Sequence, residues 1–111
     1  MGEAFTAEWL RKKRYTILAM NYRCKFGELD VIAANRKELL FVEVKLRRSG
    51  GLTRAMDAVT ASKQEKLRAT ASLWLGQNPQ YAALSQSFAI AEVYVSEADA
   101  VERFNLLKNA F

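Results

Sequence analysis

Two apolar, β-prone stretches each carry charged residues two positions apart: Gly27-Glu28-Leu29-Asp30-Val31-Ile32 and Phe41-Val42-Glu43-Val44-Lys45. A strand sends alternate residues to the same face, so Glu28 and Asp30 are expected to share one face, and Glu43 and Lys45 to share another. The intervening Asn35-Arg36-Lys37-Glu38 reads as a turn, which makes the two stretches a hairpin. Between the charged positions both stretches are nearly all apolar, as expected of central strands covered on both faces. A carboxylate in such a strand is costly to bury unless it binds or pairs with a cation. The charged positions in the central sheet are therefore a candidate site.

The flanking segments supply the layers. Residues 3–13 are expected to be helical: Glu3, Ala7 and Leu10 fall at i, i+4 and i+7, with Phe5 and Trp9 in a neighbouring row. Glu3 stands at the N-terminal end of the inward stripe, where it also suits the helix dipole, and Arg11-Lys12-Lys13-Arg14 suits the other end. A strand over 15–24, a turn over 25–27 and strands over 28–34 and 39–46 follow. A basic loop over 47–53, with Ser49-Gly50-Gly51, leads to a helix capped by Thr53 or Thr60 that runs to about residue 75, before Gly76 and Pro79. Its stripe is Met56, Val59, Lys63, Leu67, Ala71 and Trp74, so Lys63 either snorkels to the surface or points into the site. Strands over 87–95 and 101–107 complete the order α-β-β-β-α-β-β, an α/β fold with a mixed central sheet flanked by helices. The 111 residues suit a single domain, 1–111.

Composition removes whole classes of chemistry. There is no histidine and Cys24 is the sole cysteine, so Ser-His-Asp and Cys-His catalysis, an internal disulfide and a cysteine zinc cluster are excluded. Any metal must be held by oxygen, which favours Mg2+ or Mn2+. No apolar run is long enough to span a bilayer and no signal-peptide pattern opens the chain, so a cytoplasmic protein with no membrane partner is expected. Met1-Gly2 with Thr6 formally fits a myristoylation pattern, but the same residues read better as the start of the helix. The net charge of +5 is uneven: residues 1–68 hold 15 basic and 8 acidic residues, and residues 69–111 hold 2 and 4. The positive charge thus travels with the carboxylates, as an enzyme acting on polyanions requires, although a basic face kept for solubility would look the same.

An acid on one strand, then Glu-x-Lys on its hairpin partner, is a metal-nuclease arrangement. Asp30 and Glu43 would ligate a divalent ion together with the backbone carbonyl of Val44. The ion would polarise a phosphate oxygen and lower the pKa of a bound water. Lys45 would orient that water or stabilise charge on the phosphate. Glu28 is a candidate outer ligand, and Glu3 a candidate to complete the set. Arg23, Arg47, Arg48 and Arg54 are the expected nucleic-acid contacts. The plainer alternative is an ion pair between Glu43 and Lys45, with Asp30 paired to Arg23 or Arg47.

The chain resembles the YraN-like family of uncharacterised bacterial proteins, relatives of the archaeal Holliday-junction resolvases in the PD-(D/E)XK nuclease superfamily. The resemblance is carried by Gly2-Glu3 with Ala7 and Leu10, Asn21-Tyr22-Arg23, residues 27–33, Phe41-Val42-Glu43-Val44-Lys45 with Arg47, Ala58-Val59 with Lys63-Gln64, and Asn109-Ala110-Phe111. It implies a restriction-endonuclease-like fold and a Mg2+- or Mn2+-dependent endonuclease acting on DNA, with branched or structured DNA as the suggested substrate. It implies Asp30 and Glu43 as metal-binding acids, Lys45 as the catalytic lysine, Glu3 as the first-helix acid, and Lys63 and Gln64 as a helical motif near the substrate. A resolvase would also need a homodimer. A nucleic-acid-binding module without turnover, or a protein-interaction domain, would retain the same fold. Two departures stand out: Arg14 replaces a usual glycine, and Ser87-Phe88-Ala89 replaces a usual Arg-Phe-Asp.

Overall fold

The computed structural model describes residues 2–48 and 59–111. Arg54, Met56, Ala58 and the Thr53 cap lie outside them. The elements are α1 (Gly2–Lys12), β1 (Thr16–Cys24), β2 (Gly27–Ala34), β3 (Glu38–Arg48), α2 (Ala61–Gln77), a 3-10 turn at Pro79–Tyr81, β4 (Ser85–Val95) and β5 (Val101–Leu107). The expected order α-β-β-β-α-β-β is the observed one. The strands lie side by side in the order β1-β2-β3-β4-β5. All neighbours are antiparallel except β3 and β4, which run parallel from Glu38–Ser85 to Arg48–Val95. Parallel strands need a crossover, and α2 lies on it.

Each helix covers one face of the sheet. Leu10 of α1 packs with Val31, Ala33, Leu40, Val42, Ala89 and Ala91. Leu67, Ala71 and Trp74 of α2 pack with Leu29, Ile32, Ala34, Leu39 and Phe41. The two cores explain why β2 and β3 are apolar at successive positions: alternate residues enter different cores. Burial of Leu10 and of Leu67 contributes about 2 kcal/mol each.

Local chemistry sets where these elements start and stop. Asn35 Oδ1 accepts the backbone N–H groups of Lys37 and Glu38, both at 2.9 Å, which closes the β2–β3 turn. Thr60, of the two expected caps, is the N-cap of α2, its hydroxyl accepting from the Lys63 N–H at 3.2 Å. Helix α1 ends in a Schellman turn, with Tyr15 N–H bound to Leu10 carbonyl and Arg14 N–H to Arg11 carbonyl, both 3.0 Å. Arg14 holds a φ of 71° there, the left-handed conformation in which glycine is at ease.

At its other end α1 rests on β3. A Cβ on Gly2 would sit 3.0 Å from Val44 Cγ1, so the bare backbone of Gly2 lets the first helical turn approach the strand that carries Glu43. Beyond β5 the chain returns to β4: Asn109 N–H donates to Ser87 Oγ at 2.8 Å, Ala110 N–H to the Phe88 carbonyl at 2.9 Å, and the Phe111 ring stacks on Phe88 at 4.9 Å. The Ser87-Phe88-Ala89 departure thus has a structural reason. Ser87 anchors the tail, and Ala89, 1% exposed, lies in the core beneath α1, where a charge would be costly.

Candidate metal centre at the split of the central strands

The β2–β3 ladder runs from Ala34–Leu39 to Val31–Val42 and stops there, although both strands continue. The next residues are Asp30 and Glu43. Where a backbone pair would follow, the Asp30 carboxylate inserts between the strands, and its Oδ2 accepts the Val44 N–H at 2.7 Å. A side chain has replaced a main-chain carbonyl, and the strands part to form a groove of about 470 Å³. Gly27, Glu28, Asp30 and Glu43 line one side, and Thr60, Ser62, Lys63, Lys66 and Leu67 of the α2 approach line the other.

The electrostatics of the floor are lopsided. Burial pushes the Asp30 carboxyl up, the Val44 hydrogen bond pulls it down, and the Glu43, Glu3 and Glu28 carboxylates push it up again, leaving it at about 6. Glu3 is therefore close enough to act on Asp30 from the start of α1. Asp30 makes no ion pair among the described residues, so the Arg23 and Arg47 alternatives do not hold. Arg23 instead pairs with Glu28 at 2.7 Å, and Arg47 lies 3.9 Å from Glu92.

Glu43, its side chain 12% exposed, does not pair with Lys45 but with Lys63, Nζ to Oε1 at 2.8 Å. Lys63 therefore reaches into the site. Gln64 does not: its side-chain amide donates to the Val59 carbonyl at 3.0 Å and steadies the chain entering α2. On β3, Leu39 and Phe41 pack towards α2, so Glu43, Lys45 and Arg47 follow on that face. Lys45 stands directly opposite Glu92 of β4. Arg48 ion-pairs with Asp99 at 2.6 Å, five residues along β3 from Glu43 and outside the groove lining. Glu28 and Asp30 do line the same groove, although β2 is not regular between them: Leu29 joins the α2 side and β2 rolls over at Asp30.

Glu92 was missed by reading the sequence. It sits in an ordinary apolar alternation, and only the parallel register of β4 on β3 brings it beside Lys45 and Arg47. Lys66 was missed too, being one lysine of a polar helix face, yet it lines the groove.

Among the described residues no three carboxylates converge tightly enough for an all-protein metal cage. What remains is two carboxylates, Asp30 and Glu43, on adjacent strands and lining one groove. Mg2+ and Mn2+ accept such a set, since they commonly keep several waters. The surplus of carboxylates around Asp30, which makes no ion pair among the described residues, also suits a cation. The residues present therefore fit the group.

Fold and site together define a restriction-endonuclease-like α/β protein, with its acidic residues where the central strands part. The chain belongs to the uncharacterised protein family UPF0102, whose model matches residues 2–108. A UPF0102 protein of Caldicellulosiruptor saccharolyticus is 39% identical over 110 residues, covering 99% of this chain and 92% of its own. Another, from Caldanaerobacter subterraneus subsp. tengcongensis, is 37% identical over 112 residues, covering 100% and 91%. A third, from Mycolicibacterium vanbaalenii, is 40% identical over 79 residues, covering 71% and 65%.

Proposed function

We propose that this protein is a metal-dependent endonuclease that hydrolyses phosphodiester bonds in DNA, with branched or otherwise structured DNA as its substrate. The observation that carries the reading is the parting of β2 and β3 at Asp30 and Glu43, which puts a carboxylate with no ion pair among the described residues on the floor of a groove with lysines on its opposite wall. Asp30, Glu43 and the Val44 carbonyl would hold Mg2+ or Mn2+. An ion held there would supply Lewis acidity to a phosphate oxygen and lower the pKa of a bound water.

The chain's own residues do the rest. Lys45, on the Glu43 face of β3, stabilises the charge that builds on the phosphate as the new P–O bond forms and the ester P–O bond breaks. Glu3 and Glu28 surround Asp30 and raise the affinity of the floor for a cation. Lys63 holds Glu43 in place until substrate arrives, and its ammonium then becomes available to a phosphate. Lys63 and Lys66 line the groove, and the exposed Arg23 pairs with its Glu28, which offers positive charge to the polyanion. Symmetric cleavage of a junction needs two such sites, so that substrate also requires a two-fold dimer.

The 2.8 Å Lys63–Glu43 pair favours a second reading, a nucleic-acid-binding module in which a lysine occupies the acid permanently. The two readings separate in one assay. Four-way, nicked, single-stranded and duplex DNA are incubated with the protein in Mg2+, Mn2+ or EDTA. The nuclease reading expects metal-dependent cleavage that falls by about 100-fold or more in Asp30→Asn, Glu43→Gln and Lys45→Met. Salt-sensitive binding without cleavage supports the module. Cleavage that survives all three substitutions contradicts both.

A further inference from the structure

Asp30 sits on a crease that runs through two strands. Past it in β2, Val31 and Ala33 pack towards α1, and Ile32 and Ala34 towards α2. Before it, Leu29 packs towards α2, where regular alternation would send it towards α1. The neighbouring strand makes the same reversal. Met20 pairs with Val31, then Tyr22 pairs with Leu29 and joins it on the α2 side. Between these pairs, opposite Asp30, stands Asn21 with a φ of +51°. This is left-handed backbone in mid-strand, and asparagine is among the few non-glycine residues that visit it at modest cost. The Asn21 side chain is exposed, so the demand falls on its backbone.

The arm formed by residues 22–29 is thus rolled half a turn relative to the rest of the hairpin. Cys24 Sγ lies 3.6 Å from Thr70 Oγ1, and a Cβ at Gly27 would lie 3.4 Å from the same oxygen, so the rolled arm lies against α2. At the crease the Asp30 side chain is turned into the plane of the sheet, where it takes the Val44 N–H and ends the β2–β3 ladder.

We infer that Asn21 is a positioning residue for the site: its left-handed backbone makes the crease that aims the Asp30 carboxylate into the gap between β2 and β3. A residue able to hold positive φ keeps that aim. A β-branched residue, for which positive φ is a severe strain, returns β1 to regular pairing and swings Asp30 out of the gap. The consequence for metal binding rests on the proposed nuclease reading, whereas the crease and its effect on Val44 do not.

Amide hydrogen exchange at Val44 and Mn2+ titration of the full chain test this in Asn21→Gly, Asn21→Ala and Asn21→Val. In Asn21→Val the Val44 amide, deprived of its acceptor, exchanges about tenfold faster or more, while the Val31, Ala33, Leu40 and Val42 amides stay protected. Mn2+ affinity falls by about tenfold in parallel, Asn21→Ala lies between, and Asn21→Gly stays within about twofold of the parent on both readouts. Unchanged Val44 protection in Asn21→Val and Asn21→Ala overturns the inference, as does equal loss in Asn21→Gly. If Asn21→Val does not fold, the Ala and Gly pair decides on the same criteria. A parent protein that takes up no Mn2+ sinks the nuclease reading alone, because Val44 exchange still reports on the crease.

Discussion

At the scale of single residues, Asp30 holds the balance between stability and chemistry. Its carboxyl ordinarily loses its proton near 3.8 but in the fold does so at about 6. The folded protein therefore binds more protons than the unfolded chain between these values, and stability falls as pH rises through that window. Above it the cost of a charged, crowded carboxylate is fully present. Allowing for screening of a partly exposed group, that cost is about 1 kcal/mol. Asp30→Asn retains an oxygen for the Val44 N–H and carries no charge. Urea unfolding is expected to show it more stable than the parent by about 1 kcal/mol at pH 7.5, with the gain gone by pH 4. An equal gain at both pH values would deny the electrostatic cause. Arg14 stores a smaller strain, since it fills the left-handed position of the α1 Schellman turn. Arg14→Gly relieves the side-chain clash but loosens the unfolded chain, for a net stabilisation of about 0.5 kcal/mol, seen as a rise in the urea midpoint.

At the scale of elements, the hairpin was legible and its exception was not. Apolar residues around Glu43-x-Lys45, with Asn35 to close the turn, are enough to predict β2 and β3 and a shared face for Glu43 and Lys45. Both strands enter two cores, so their hydrophobicity survives in the sequence whatever the rest of the chain does. The crease at Asp30 leaves no such trace. Period-two reasoning assumes a regular strand, and one left-handed asparagine in β1 breaks the period in β2. Lys63 was ambiguous for a related reason. It falls on the apolar stripe of α2, and only the approach of the helix N-terminus to β3 shows that its ammonium meets Glu43. Glu92 depends on a crossover connection, whose register no local pattern encodes.

At the scale of the whole molecule, an acidic floor lies beneath basic walls. Of the basic residues in 1–68, Lys63 and Lys66 line the groove and Arg23 pairs with its Glu28. If these residues neutralise phosphates, log affinity for duplex DNA falls linearly with log salt, with a slope of about −3. Lys66→Ala, outside the acidic set, is expected to reduce that slope by about one unit in fluorescence anisotropy at several salt concentrations. An unchanged slope would place the nucleic acid elsewhere. The claim beneath all of this is that Asp30 and Glu43 hold one divalent cation between the parted strands. Calorimetric titration of Mn2+ into the parent, Asp30→Asn and Glu43→Gln tests it most directly. The expected result is one ion per chain in the parent, with affinity weakened by about tenfold or more in each variant. Binding in the parent that neither substitution disturbs would contradict it.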